Sequence, residues 1–225
     1  MKDYLEVEYN PNSKAFTNYP EKFAKYLFDL SGMKSGQTLL EIGAGRCEMA
    51  KSFQRLGMDV YVVDNSHQFM EYAKLSGLKH RQIEWRPGAD FRPFGEKTFD
   101  FVYSKSLIEH VSEPLELISS FKKLLNTGGK LLTLTPDFEA NWWNFYDDVT
   151  HIKPFTLRTL EAVYETCEFH SFTVFKIRQL PSTWQSRFMR SLSILTAFIT
   201  PTKLRTKNKW LRWSRELMIV GIAEN

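Results

Sequence analysis

Short apolar runs alternate along this chain with longer stretches of helical periodicity. TLLEI (38–42), DVYVV (59–63), RQIEW (81–85), FDFVYS (99–104) and KLLTLT (130–135) are compact and rich in apolar residues, which predicts strands. Between them, 46–56, 66–75 and 114–125 read as helices, the first closed by Gly57 and the last opened by Pro114. Ahead of the first strand, Pro20, the apolar Phe23, Tyr26, Leu27 and Leu30, and then Gly32 outline another helix and its stop. Later, Thr156 can cap a helix carrying Leu157, Leu160, Val163 and Tyr164 on one face, with strands expected near 170–178 and 216–223. This order predicts an α/β fold: a seven-stranded, mostly parallel sheet with helices on both faces, whose ligands lie beyond the carboxyl ends of the strands.

At 225 residues the pattern is that of one domain. Its expected parts are an N-terminal arm and helix (1–35), a ligand-binding core (36–180), a basic amphipathic insert (181–214) and the last strand (215–225). The start, MKDYLEVEYN, lacks the basic-then-apolar order of a secretory signal, and no apolar run reaches the ~18 residues needed to cross a bilayer. Two cysteines, Cys47 and Cys167, make no disulfide framework, which fits a cytoplasmic setting.

The net charge of +4 hides an asymmetry, since Phe169–Arg215 carries ten basic and no acidic residues and leaves the remainder at −6. Within it Trp184, Phe188, Leu192, Leu195 and Ile199 recur at helical spacing before Pro201. Such a stripe can lie in the headgroup zone of an anionic membrane, peripherally at the inner membrane face, or pack on the sheet or on a twin subunit in a homodimer. Trp210 and Trp213 among basic residues would also suit nucleic acid, but no recognised nucleic-acid module accompanies them.

The chemistry starts at LLEIGAGRC (39–47), where Gly43 and Gly45 let backbone approach a ligand at the next helix's start. A dinucleotide fingerprint would place its third glycine at position 48, where Glu48 stands, and Glu41 adds a second negative charge. An acidic strand end suits S-adenosylmethionine, which carries a sulfonium and an ammonium and no phosphate. Asp64, 19 positions beyond Gly45, can accept from both ribose hydroxyls, or alternatively cap the helix after it.

LLEIGAGRC, YVVDNS, PGADFRPFGEKTFDFVYSKSLIEHV and FKKLLNTGGKLLTLTPD, in this order and spacing, resemble the motifs of Rossmann-type (class I) S-adenosylmethionine-dependent methyltransferases over nearly all of 36–180. The chain departs from the family at Cys47, where a further glycine is common; beside two glutamates Cys47 reads as a small buried side chain, not a nucleophile. The resemblance implies a Rossmann-like methyltransferase fold in which Glu41, Gly43 and Gly45 line the cofactor's methionine part and Asp64 its ribose. It further implies that Asp90 accepts from the adenine amino group with Ala89 beside the ring, and that Ser104 lies next to the sulfonium. Read without the family, Asp90 is a solvated loop carboxylate.

DFEANWWNFYDDVTHIKPF (137–155), just after a strand's carboxyl end, is placed as an acceptor loop. It is similar to the corresponding segment of bacterial methyltransferases encoded with polysaccharide and lipid-glycan pathways. His151, with Asp147 and Asp148 to orient it, is the first candidate to take an acceptor's proton, and His110 the second. Trp142, Trp143 and Tyr146 can wall a sugar or flat ring, or simply pin the loop to the core. Asp137, Glu139, Asp147 and Asp148 lack the compact spacing of a metal shell, so no metal is expected. The expected function is methyl transfer to a small or lipid-linked acceptor, most simply a sugar hydroxyl. A non-catalytic scaffold and a nicotinamide-dependent oxidoreductase are the rival readings.

Overall fold

The computed structural model describes residues 16–201, 203–204 and 206–225; the polar N-terminal start and Arg205 of the basic segment lie outside the described residues. Helix α1 (Tyr19–Ser31) has Pro20 in its first turn and ends on Gly32 in the left-handed conformation, as the sequence pattern predicts. Strand β1 (Thr38–Ile42), α2 (Glu48–Arg55), β2 (Asp59–Asp64), α3 (Phe69–Leu75) and β3 (Lys79–Gln82) follow. After a long loop come β4 (Phe99–Lys105), a 3-10 turn at Ile108–His110, α4 (Pro114–Lys122) and β5 (Leu125–Pro136). The loop after β5 holds the short α5 (Phe138–Asn141) and a second 3-10 turn at Phe145–Asp147. Helix α6 (Leu157–Thr166) starts on a capping box in which Thr156 and Thr159 exchange side chain-to-backbone hydrogen bonds. Then come β6 (Ser171–Arg178), three helices of the insert, α7 (Ser182–Gln185), α8 (Arg187–Ile199) and α9 (Lys209–Arg215), and β7 (Leu217–Glu224).

The seven strands form one sheet in the order β3-β2-β1-β4-β5-β7-β6. The first five run parallel, and β7 is antiparallel to both of its neighbours. Strand order reverses between β1 and β4, so their carboxyl ends open the crevice where ligands of such sheets bind. On one face Phe23, Leu27, Phe53 and Phe69 of α1–α3 pack against Leu39, Val62 and Tyr103. On the other, Leu117 and Phe121 of α4 and Leu160 and Tyr164 of α6 cover Leu40, Val102 and Ile219.

Three expectations change. The third strand lies at 79–82 instead of 81–85, because its pairing with β2 ends opposite Asp64 apart from one further bond from the Ile83 amide. Ile83 and Trp85 instead pack against the second core layer, so their apolar signal reports burial outside the sheet. Strand β5 begins at Leu125, earlier than its apolar run, through a register shift opposite Phe99–Phe101 in which Gly129 approaches the Phe99 carbonyl too closely for a side chain. In the insert, Trp184 leaves the expected stripe and stacks on Tyr26 of α1 at 4.7 Å.

Gly221 of β7 sits against the fully buried Tyr164, and a Cβ there would lie 2.6 Å from the ring's Cε2. Gly221→Ala should therefore lower unfolding stability by roughly 1–3 kcal/mol through overpacking, read as a lower urea midpoint at unchanged m-value. An unaltered midpoint would show that Tyr164 has room to move.

Candidate active site

Backbone geometry after β1 sets the first half of the site. Gly43 and Gly45 take positive φ, and so does Cys47 at +59°, a left-handed conformation that glycine adopts at less cost. Cys47 is fully buried, and burial, together with Glu41 and Asp64, pushes its thiol pKa up, so it is no nucleophile. The amides of this turn point into the protein. Gly43 and Ala44 donate to the Val63 carbonyl at 2.9 and 3.2 Å, and Gly45 donates to Asp64 Oδ2 at 2.8 Å. The other Asp64 oxygen accepts from the Ser66 amide at 2.9 Å. Asp64 is thus a clasp on the glycine turn and not the cap of α3, whose first residue is preceded by Gln68.

This arrangement revises the ground for rejecting a dinucleotide. Glu48 is ion-paired with the buried Arg46 at 2.6 Å, so its charge is largely compensated. Pyrophosphate is disfavoured because the glycine-turn amides it would need are already spent on Val63 and Asp64, and a carboxylate holds the nearest one. Glu41 adds to this. It is buried, its Oε2 has no hydrogen-bond partner among the described residues, and its pKa is raised to about 8. Burial is the main cause; Lys105 and the Ala50 amide offset it in part, and Asp64 adds to it. A buried carboxyl with one oxygen unpartnered among the described residues fits a cationic ligand, whose charge would favour its ionised form.

The remaining cofactor candidates are placed more loosely. Ser104 ends up buried with its Oγ unpartnered among the described residues, in register with Ile42 and Thr133 on the neighbouring strands. Ala89 and Asp90 lie on the exposed loop before β4, with Asp90 paired to Arg92 at 2.9 Å.

The second half is a cluster that the fold assembles from 40 residues apart. The loop at 148–153 docks on the 3-10 turn after β4 through amides of Ile152 and Lys153, which donate to the Glu109 carbonyl at 2.9 and 3.0 Å. The rings of His110 and His151 come to 4.7 Å. His151 Nδ1 lies 2.5 Å from the Phe145 carbonyl, which can only accept, so this nitrogen carries the proton and Nε2 is the basic atom, 3.9 Å from Asp148 Oδ2. Thr150 donates to Asp148 Oδ1 at 2.6 Å and so accepts from His110 Nδ1 at 2.8 Å. Burial, and then the neighbouring His151, lower the His110 pKa. Burial favours the protonated form of Asp148, but hydrogen bonds from the Thr150 hydroxyl and amide outweigh it and keep that pKa low.

The sequence pattern missed Glu109 and Lys105. Glu109 is fully buried, hydrogen-bonded by Thr135 at 3.0 Å, and pushed up to about 7, chiefly by burial. Lys105 acts electrostatically on both Glu41 and Glu109 and so links the two halves of the site. The available signal was the acid beside His110 in SLIEHV. Glu109, His110 and His151 also bring one ligand atom each within 4.8 Å of the others, a metal-capable group among the described residues. The loop acids weighed for a metal are dispersed instead, since Asp137 and Glu139 both pair with Lys176. Nor do the aromatic candidates form one wall. Trp142 is exposed beneath Lys203, Tyr146 is exposed against Phe145, and Trp143 shares a cleft with Asp147, Leu204, Arg212 and Glu216.

Fold and crevice together define the Rossmann-like class of S-adenosylmethionine-dependent methyltransferases. The chain belongs to the methyltransferase domain family, which matches residues 13–170. It is 32% identical over 104 residues to the ubiquinone biosynthesis O-methyltransferase of Xanthomonas oryzae pv. oryzae (strain PXO99A), covering 45% of this chain and 44% of that protein. It is 31% identical over 126 residues to that of Bradyrhizobium sp. (strain ORS 278), covering 56% and 47%. The chain thus spans less than half the length of these curated relatives. Among solved structures, a SAM-dependent methyltransferase from Archaeoglobus fulgidus superposes with TM-score 0.64 at 17% identity, covering 99% of this chain and 100% of that one. Phosphoethanolamine N-methyltransferase 2 of Haemonchus contortus, solved with S-adenosyl-L-methionine, does so with TM-score 0.60 at 18% identity, covering 91% and 52%. At such identities the structural likeness concerns the fold.

Glu41 ionises at about 8 when folded against 4.5 when free, so between those values the folded state holds a proton that the unfolded chain has lost. Stability without ligand should accordingly fall as pH rises from about 5 to 8, by an amount on the order of a few kcal/mol. Glu41→Gln should flatten that slope and raise the melting temperature at pH ~8. Parallel profiles for the two proteins would remove Glu41 as its source.

Proposed function

We propose that the protein transfers a methyl group from S-adenosylmethionine to a hydroxyl oxygen of a small or lipid-linked acceptor, such as a sugar or related metabolite. The observation that carries this reading is the tautomer of His151, whose Nε2 is left basic by the Phe145 carbonyl. The cofactor supplies an electrophilic methyl group on a sulfonium. The chain's part is to hold donor and acceptor in line and to move one proton. Glu41, Gly43 and Gly45 would line the cofactor's amino acid end, whose positive charge would draw the buried Glu41 carboxyl into its ionised form. Asp64, which accepts from the Gly45 and Ser66 amides, would accept from the ribose hydroxyls as well. Asp90 and Ala89 would serve the adenine and Ser104 the region of the sulfonium. His151 Nε2 takes the acceptor's hydroxyl proton, and Asp148 stabilises the imidazolium that results. His110 flanks His151, and Trp142, Trp143, Tyr146 and Asp147 offer the acceptor apolar and polar surface. The names of the curated relatives, O-methyltransferases, support oxygen as the receiving atom.

A second reading is favoured by the 4.8 Å grouping of Glu109, His110 and His151, which a divalent cation could bridge to orient the acceptor oxygen. Turnover abolished by a chelator and restored by a divalent metal would select it. Turnover indifferent to the chelator selects the histidine base.

Mass-spectrometric screening of glycans, glycolipids and quinol precursors with S-adenosylmethionine should find an acceptor that gains one methylene unit. Binding of NADH in place of S-adenosylhomocysteine would instead support the oxidoreductase, and binding of neither the non-catalytic scaffold. On the true acceptor, His151→Gln should slow turnover by roughly 10²–10⁴-fold with cofactor affinity kept; full activity would end its role as base. Asp64→Ala should weaken S-adenosylhomocysteine binding in calorimetry about tenfold to hundredfold, the weight of lost hydrogen bonds to a charged group. Equal affinity would take Asp64 out of the site.

A further inference from the structure

Helix α8 is inside out. Its buried positions are polar: Ser193 donates to Ser214 Oγ at 2.9 Å, Thr196 Oγ1 accepts from the Trp210 indole at 3.0 Å, and the Thr200 carbonyl accepts from Arg215. Its solvent face carries Phe188 (73% exposed), Leu195 (57%), Phe198 (88%) and Ile199 (71%), with Leu192 and Ile194 beside them. Phe188, Leu192, Leu195 and Ile199 fall at i, i+4, i+7 and i+11, so they form one continuous stripe. Water is a poor neighbour for such a stripe, and a helix whose hydroxyls hold it to its own protein presents its apolar face for something else.

Charge decides what that is. From Phe169 to Arg215 no acidic residue occurs, and Arg187 at the start of α8 and Lys203, Lys207 and Lys209 in the segment that follows it are exposed. A second copy meeting this face across a two-fold axis would bring two such basic segments together and repel. An anionic bilayer satisfies both features at once, taking apolar side chains into the headgroup–acyl boundary and offering phosphates to the rim.

We propose that α8 docks the protein onto an anionic lipid bilayer, with Phe188, Leu195, Phe198 and Ile199 entering the interface and the surrounding lysines and arginines engaging lipid phosphates. No described helix is long and apolar enough to cross a membrane, so attachment through α8 is to one face only. The surface is continuous with the acceptor loop. Lys203 lies over the Trp142 ring at 5.9 Å, and Leu204 and Arg212 line one cleft with Trp143 and Asp147. Docking therefore brings that loop to the membrane, where an acceptor dissolved in the bilayer would be met. The docking surface rests on the geometry and charge of α8 and its neighbours, independently of the methyl-transfer reading.

The test is co-sedimentation of the full chain with vesicles of phosphatidylcholine alone and of phosphatidylcholine with phosphatidylglycerol at roughly three to one. The unaltered protein should pellet with the anionic vesicles, less with the neutral ones, and less again at high salt. Leu195→Ser/Phe198→Ser/Ile199→Ser should lower the partition coefficient about tenfold or more with the far-UV spectrum and melting temperature kept, because these side chains touch solvent. Lys207→Gln/Lys209→Gln should weaken only the anionic component. Unaltered protein left in the supernatant, or a triple-serine variant that pellets as well as the original, would overturn the proposal. So would light scattering that shows a dimer converted to monomer by the triple substitution, since a second copy would then be what covers the face.

Discussion

The amide of Gly45 donating to the carboxylate of Asp64 is the contact on which the candidate site depends. It ties the turn after β1 to the end of β2, and the Gly43 and Ala44 amides reinforce the tie by donating to Val63. With these donors consumed, the turn keeps the shape of an anion cradle but not its function. What it offers a ligand is the Asp64 carboxylate and, at Glu41, a buried carboxyl that a bound cation would draw into its ionised form. The same glycines in the same type of sheet serve phosphate or a cation according to where one strand-end carboxylate sends its lone pairs.

Burying Glu41 with one oxygen unpartnered among the described residues works against the stability of the ligand-free fold, since desolvation of a carboxylate is offset here only in part by Lys105 and one amide. Groups so placed mark sites where charge is completed by something that binds. Lys105 lies within electrostatic reach of both Glu41 and Glu109 and favours the ionised form of each.

The insert follows the opposite logic from the core. Helices α1 and α6 bury apolar faces on the sheet, whereas α8 is held by hydroxyls and leaves its phenylalanines outside. Hydrogen bonds from and to Arg190, Ser193, Thr196 and Thr200 orient it, and the hydrophobic effect is left to act toward an external phase. The insert begins beyond residue 170, where the family match ends, so the family likeness carries no information about this surface.

Local order along the chain was written in the sequence: strands and helices alternating at the right periods, glycines at the turn after β1, Pro20 and Gly32 bounding α1, and Thr156 capping α6. These features depend on residues a few positions apart, and periodicity and steric preference report such neighbours directly. The seven-stranded, mostly parallel sheet and the acidic character of its crevice could be read on the same basis. Tertiary structure alone decided which partner each of those groups would meet. Asp64 as a clasp instead of a cap, Glu109 beneath a loop from beyond β5, His110 against His151, and α8 turned apolar side out all depend on contacts between distant segments. A pattern of apolar and polar positions gives a helix two faces. Only what packs opposite determines which of them is turned to water.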